Sequence, residues 1–462
     1  MDGSARDLLI GAARLLDGRL VDVMISAGRV ATVDAHQPGR TPDLDARGGL
    51  LLPGLHDHHV HVAATAAALA SLRCGPPEVT HAAELARILA NAGGAGWLRG
   101  IGYHESVAGL IDRAWLDGIV PDRPARIQHR SGRLWIFNSI GLAQLLAGKA
   151  PPVSLDCDKG HLFDADTWLR GALQGSPPDL DEVSNRWNRW GVTGVTDMNP
   201  HNGLADAAHF AKAQQADRFS QRLVLAGTAE LAGLADCDTI SRGPLKIHLH
   251  EAALPEFDAM VETIAKAHGA GRGVAVHCVT EGELVFTLAA FREAGPVPAD
   301  RVEHASIATP ELVAQIAELG LAVVTQPNFV TERGDAYLAD IDREDWPNLY
   351  RLRSFLAAGV TLAGGTDTPF GQADPWAAIA AAVDRRTATG VPLGLKEALS
   401  PEQALDLFLA DPLSLGRRRA VVPNASADLC LLAQDWTTLR VDPASARVVA
   451  TLIGGKLVFD GR

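Results

Sequence analysis

The chain has 462 residues, 47% of them hydrophobic and 21% charged, enough for a large buried core in a globular protein with one large domain and a smaller appendage. A formal net charge of -13 argues against nucleic acid or an anionic membrane as partner, since either would need a basic surface. The five cysteines, Cys74, Cys157, Cys237, Cys278 and Cys430, are odd in number and include no Cys-x-x-Cys pair, which argues against a disulfide framework or a thiolate zinc site and fits a reducing cytoplasm.

The opening MDGSARDLLIGAARLLDG lacks a basic segment followed by a long apolar core, and no apolar run is long enough to span a bilayer, so secretion and membrane insertion are not expected. Residues 7–50 read as short β segments with tight reversals at Gly18 and Gly28. The far end repeats this style in ADLCLLAQD and VVATLIGGKLVFDG. Segments this short do not hold a sheet alone, so residues 1–52 and 410–462 are expected to form one composite β-sandwich domain.

Next comes LLPGLHDHHVHV, Leu51–Val62. Strand alternation puts Asp57, His59 and His61 on one face and turns His56 and His58 to the other, as packing residues. Helical stretches follow at Thr65–Leu72 and Ala82–Ala92. Then GWLRGIGYHES and PARIQHRSGRLWIFNS read as β runs rich in aromatic and cationic residues, with a loop around Leu116–Arg123. No simple βα unit accounts for this region, so about 93–184 reads as an insertion, and loops of that size are more often functional than not.

From Val192 short apolar runs alternate with helical stretches: GVTGVTDMN, RLVLAGT, PLKIHLHE, GVAVHCV, RVEHAS, LAVVTQPNF and TLAGGTDTP. Helices are expected at Asp206–Gln215, Glu256–His268, Glu283–Ala294, Pro310–Leu319 and Trp376–Thr387, with a loop and the helix Leu349–Ala358 after LAVVTQPNF. With the opening strand this makes eight β runs and argues for an α/β fold, a parallel (β/α)8 TIM-like barrel over 53–409, whose functional residues gather at the strand C-terminal ends.

Lys246, His277, His304 and Asp367 lie late in four different runs and join His59 and His61 as candidate metal ligands. A lone strand histidine is more often a hydrogen-bonded core residue, and Asp367 alone would serve as a helix cap. Together the set resists that reading, because burying so many polar groups without a shared partner is costly.

The order His-x-His after Pro-Gly, lysine, histidine, histidine, aspartate resembles the amidohydrolase superfamily of metal-dependent hydrolases, over almost the whole chain. Within it the insertion, GVTGVTD, DRVEHAS and VVTQPNF resemble the amidohydrolase 3 group, which includes N-substituted formamide deformylase. The resemblance implies that His59, His61 and Asp367 bind one divalent ion, most simply zinc. It implies that Lys246, carboxylated on its amine, bridges to a second ion held by His277 and His304. With Lys246 unmodified, a single ion at His59, His61 and Asp367 is the expectation. Such a centre polarises a carbonyl and lowers the pKa of water from about 15.7 toward about 7. Asp367 would then carry the water proton to a leaving nitrogen, so that an amide-like C–N bond is hydrolysed.

Tyr103, His104, His129, Arg130, Trp135 and Asn138 in the insertion, with Gln326 at the seventh run, are candidate substrate-binding residues for a small molecule. Arg130 or Arg133 would suit an anionic group, although surface arginines are the commoner case. His248 and His250 share a face with Lys246 and read as hydrogen-bonding support. A deaminase of the same superfamily is an alternative, weakened because Glu281 stands four positions after His277 where three are usual. An esterase or lactonase would use the same ligands, and a metal-free scaffold is the reading furthest from this ligand set. Barrels of this type often self-associate, but no stretch marks an interface.

Overall fold

Eight short strands pair in chain order, each parallel to the one before: β1 (Leu55–Val60), β2 (Val192–Asp197), β3 (Arg222–Gly227), β4 (Ile240–His248), β5 (Val274–Cys278), β6 (Arg301–His304), β7 (Ala322–Thr325) and β8 (Leu362–Gly364). The computed structural model describes residues 7–462 apart from 77, 95, 174–177 and 236. Residues 1–6, the start of MDGSARDLLIGAARLLDG, lie outside the described residues, as do parts of the expected insertion. Strands of a barrel are buried on both faces, and burial here extends to the polar side chains of β1 (LHDHHV) and β6 (RVEH). The seam between β8 and β1 is held by backbone bonds just past the strand ends: Asp367 N donates to His59 O at 2.8 Å and His61 N to Thr368 O at 2.9 Å. Gly365 is required there, since a Cβ at that position would meet His59 Cβ at 2.5 Å.

The expected helices form at Leu204–Gln215, Phe257–Gly269, Glu281–Ala294, Pro310–Glu318 and Pro375–Asp384. Their starts are written locally: Thr280 Oγ1 accepts from Glu283 N at 3.2 Å while Glu283 Oε2 accepts from Thr280 N at 3.2 Å, a reciprocal cap. After β7, where the sequence predicts a loop, Asn328–Asp340 is a helix, and the helix expected over Leu349–Ala358 is the shorter Leu352–Ala357. Asn328, Thr331 and Gly334 give the first of these low intrinsic propensity, and burial of Asn328, Phe329, Val330 and Gly334 overrides it.

Both chain ends build a sandwich. One four-stranded sheet runs Arg29–Ala35, Leu20–Ser26, Leu8–Arg14, Leu44–Asp45; the other runs Lys456–Asp460, Val448–Ile453, Leu429–Leu432, Leu51–Pro53. Ile10, Val23 and Ile25 from the first share a buried core with Leu429, Leu431 and Leu452 from the second. Gly18 and Gly28 take φ of +83° and +75° at their reversals, a region where glycine is free of Cβ strain. The edge strand Leu51–Pro53 leads directly into β1.

A second compact unit spans Ala63–Asp179. Its six-stranded sheet runs Leu155–Asp156, His161–Phe163, Leu134–Phe137, Ala125–His129, Leu98–Tyr103, Leu72–Arg73. The unit thus starts earlier than the insertion read at 93–184, because the two-residue strand Leu72–Arg73, too short to show a period, pairs with Leu98–Tyr103. The loop expected at Leu116–Arg123 is partly the helix Arg113–Ile119, capped by Asp112 accepting from Trp115 N at 2.8 Å. Among the described residues no helix is long and apolar enough to cross a membrane.

Candidate metal centre

The C-terminal ends of β1, β6 and β8 bring His59, His304 and Asp367 together, all buried, with one ligand atom of each within 4.8 Å of the others. His304 and Asp367 hold φ of +69° and +55°, left-handed backbone that non-glycine residues adopt at a cost of about 1–3 kcal/mol.

The hydrogen bonds set the direction of each ring. His59 Nδ1 lies 2.5 Å from Glu303 Oε2. An ionised carboxylate only accepts, so the ring proton belongs on Nδ1 and Nε2 carries a lone pair. Burial pushes the Glu303 carboxyl upward, but the Arg301 guanidinium and His59 prevail and hold it well below the usual carboxylate range. His304 Nδ1 likewise faces Gln326 Oε1 at 2.6 Å, which leaves His304 Nε2 as a lone pair with no hydrogen-bond partner. Asp367 Oδ1 is also buried without a hydrogen bond, 3.4 Å from His59 Nε2 and 3.2 Å from His61 Nε2.

Electron-rich atoms therefore converge in a low-dielectric interior, an arrangement that repels itself unless a cation is shared. The donor set fits a divalent ion of the zinc type, which accepts imidazole nitrogen and carboxylate oxygen. Protonation states agree. Burial pushes the His59 ring down to about 3 and lowers His304 and His277 as well, so the imidazoles are neutral ligands. Asp367 is kept ionised, its burial outweighed by His59, His61 and His304.

Lys246 and His277 border this group. Lys246 Nζ is buried without a hydrogen-bond partner, and burial brings its ammonium down to about 8. The His277 ring meets His304 edge-on at 4.4 Å and stacks on His248 at 4.1 Å; His248 in turn lies 4.6 Å from His250. Asp57 is a clamp on the seam: it accepts from Thr366 Oγ1 at 2.6 Å, Thr366 N at 3.0 Å and His59 N at 3.3 Å. His56 bonds Thr196 Oγ1 at 2.9 Å, away from the ligand face. At the rim the exposed Phe370 sets its edge on the His61 ring at 5.4 Å, and Arg333, stacked on Phe329 at 3.8 Å, donates to Phe370 O at 2.7 Å.

Glu303 and Arg301 are functional candidates that sequence reading passed over. Both sit in RVEH on alternate positions, a pattern that marks a shared face and says nothing of a partner 244 positions away. Gln326, expected at substrate, is the acceptor for His304. The other six substrate candidates lie in the Ala63–Asp179 unit. There Tyr103 is buried and donates its hydroxyl to Gly109 O at 2.5 Å. His104 starts the helix Glu105–Ala108, and His129 Nε2 contacts Glu105 Oε2 at 3.1 Å. Arg130 is exposed, and Arg133 is engaged by Asp164 at 2.6 Å. Trp135 is buried beneath the guanidiniums of Arg126 at 5.3 Å and Arg99 at 5.5 Å. Asn138 accepts from Ala125 N and Gly141 N and donates to Val120 O and Arg123 O, so its amide is fully used within the fold of this unit.

A model of the amidohydrolase family (Amidohydro_3) matches residues 44–459. The chain is 24% identical to N-substituted formamide deformylase of Arthrobacter pascens, covering 98% of each, and 23% identical to the putative amidohydrolase YtcJ of Bacillus subtilis (strain 168), covering 91% of each. Among solved structures, an uncharacterized metal-dependent hydrolase from Pyrococcus horikoshii OT3 superposes with a TM-score of 0.80 at 19% identity, over 98% of this chain and 100% of the other.

Proposed function

The chain belongs to the amidohydrolase family, enzymes of metal-dependent hydrolysis at carbon–nitrogen bonds, and from that premise we propose that it cleaves an amide-like, non-peptide bond in a small molecule, with zinc as its metal. The observation that carries this reading is the convergence of the buried His59, His304 and Asp367, with His304 Nε2 and Asp367 Oδ1 lacking a hydrogen-bond partner. When bound, a divalent ion there polarises the scissile carbonyl and acidifies water.

The chain's own residues supply the rest. His59, His61 and Asp367 would hold one ion. Lys246, once its amine had added carbon dioxide, would with His277 and His304 hold a second. That reaction needs the neutral amine, and burial that lowers Lys246 to about 8 makes the neutral form accessible near neutral pH. Asp367 accepts a proton from water as the new C–O bond forms and returns it to the nitrogen as the C–N bond breaks, giving a carboxylate and an amine.

Likeness to the Arthrobacter pascens deformylase makes N-substituted formamides the first substrates to try. The free cysteines suit a reducing cytoplasm, and self-association is compatible with the fold. The test is amine release by the purified chain loaded with zinc, manganese or cobalt, across N-substituted formamides, other acyl amides, esters, lactones and aminopurines. Metal-dependent amine release from the amides is expected. Turnover of esters alone, or of none of these with any of the three metals, overturns the reading.

A further inference from the structure

We propose that Glu303, held by Arg301, is a positioning residue for the metal centre: its carboxylate fixes the proton of His59 on Nδ1 and so presents Nε2 as the ligand atom. The inference rests on the metal reading above and concerns what stands behind it.

Glu303 is fully buried. One of its oxygens lies 2.5 Å from His59 Nδ1; the other lies 2.6 Å from Arg301 Nε, an ion pair too bent for a hydrogen bond. Arg301 is itself tied down, its Nη2 lying 2.8 Å from Met198 Sδ and 3.4 Å from His58 O. A chain of contacts therefore crosses the barrel interior from β6 to β1, and it ends on the back of a metal-facing ring. A buried ion pair is a poor means of stabilising a core, where apolar residues of the same volume do as well or better. Its use here is directional. A carboxylate behind an imidazole locks the tautomer, prevents rotation of the ring and makes the far nitrogen a stronger ligand. The neighbouring ring supplies an internal contrast, since His304 is backed by the neutral amide oxygen of Gln326 at 2.6 Å. Of the two rings, His59 is the one whose ligand nitrogen is strengthened by a full charge.

The test uses the full chain and zinc itself. Zinc affinity is measured by competition with a chromophoric chelator for the unaltered protein, Glu303→Gln, Glu303→Asp and, as a control for an equally buried carboxylate, Asp57→Asn. Glu303→Gln is expected to weaken zinc binding by about 10–100-fold, with Glu303→Asp recovering part of it and Asp57→Asn shifting it less. A folded Glu303→Gln that keeps zinc within about twofold overturns the inference. Because that variant risks misfolding, the nitrogen-15 spectrum of histidine-labelled, zinc-loaded unaltered protein provides a second reading. The resonances that vanish in His59→Gln should show a protonated Nδ1 and a zinc-bound Nε2; the reverse assignment sinks the proposal. If the unaltered protein binds no zinc, manganese or cobalt, the metal reading falls and takes this inference with it. If it binds and Glu303→Gln is unchanged, the inference alone fails.

Discussion

The two ends of the barrel carry buried charges of similar kind and treat them in opposite ways. At the strand starts Arg272, just before β5, donates to Gly243 O at 3.1 Å, Thr228 O at 2.7 Å and Pro244 O at 2.9 Å. Asp300, just before β6, accepts from Val274 N at 2.7 Å, Val297 N at 2.8 Å and His268 Nε2 at 3.0 Å. At the strand ends Lys246 Nζ, His304 Nε2 and Asp367 Oδ1 have no such bonds. A cavity of about 340 Å³ opens at the strand starts, lined by Arg242, Arg272 and Asp300 among others, yet Arg272 and Asp300 already have protein partners. The strand-end group is distinguished by unsatisfied atoms of three residues that converge on one point, which the strand-start cavity does not offer.

The sharpest way to break this contrast is to remove metal. Dialysis against a chelator should bring turnover to background, and zinc restored at a hundred times its Kd should add about 2.7 kcal/mol of stability, read as a rise in thermal midpoint. An unchanged midpoint would mean that the strand-end atoms do not bind the ion. Next in size, Asp367→Asn should lower kcat/KM by about 10²–10⁴-fold while the fold persists, as measured by steady-state kinetics beside circular dichroism. Arg272→Met should act in the other currency: a loss of about 3 kcal/mol in denaturant unfolding, with kcat and zinc affinity unchanged. If that variant instead lost turnover at full stability, the two ends would not be separable. The smallest effect is expected for Thr366→Val, which removes the 2.6 Å bond to Asp57 and should cost about 1.5 kcal/mol of stability, with a kinetic change well below that of Asp367→Asn.

Much of this is legible in sequence because strand alternation is local. The face shared by Asp57, His59 and His61, and the polar residues late in each β run, follow from a period of two and the habit of barrels to place function at strand ends. The sandwich is legible too, since both chain ends carry short β segments that need partners. What escapes is whatever depends on closure. Glu303 looks like an ordinary strand residue until β6 faces β1 across the interior. Asn138 looks available until the backbone around the helix Ser139–Leu145 takes up its amide, and nothing local shows that the Gln326 oxygen faces His304 while its Nε2 keeps no partner. The helix Asn328–Asp340 escapes for a different reason, because its sequence is a weak helix former and tertiary burial decides.

The seam between the first and last barrel strands carries a consequence for how this protein comes into being. Asp57 and Thr366, the residues that clamp it, are 309 positions apart. A ribosome therefore releases the His-x-His well before the aspartate, and on the proposed metal reading the nascent chain would until then offer an ion an incomplete set of ligands. If the metal reading holds, tight capture of the ion reports a closed barrel, and a chain truncated before Thr366 is expected to bind metal weakly even where its earlier elements fold.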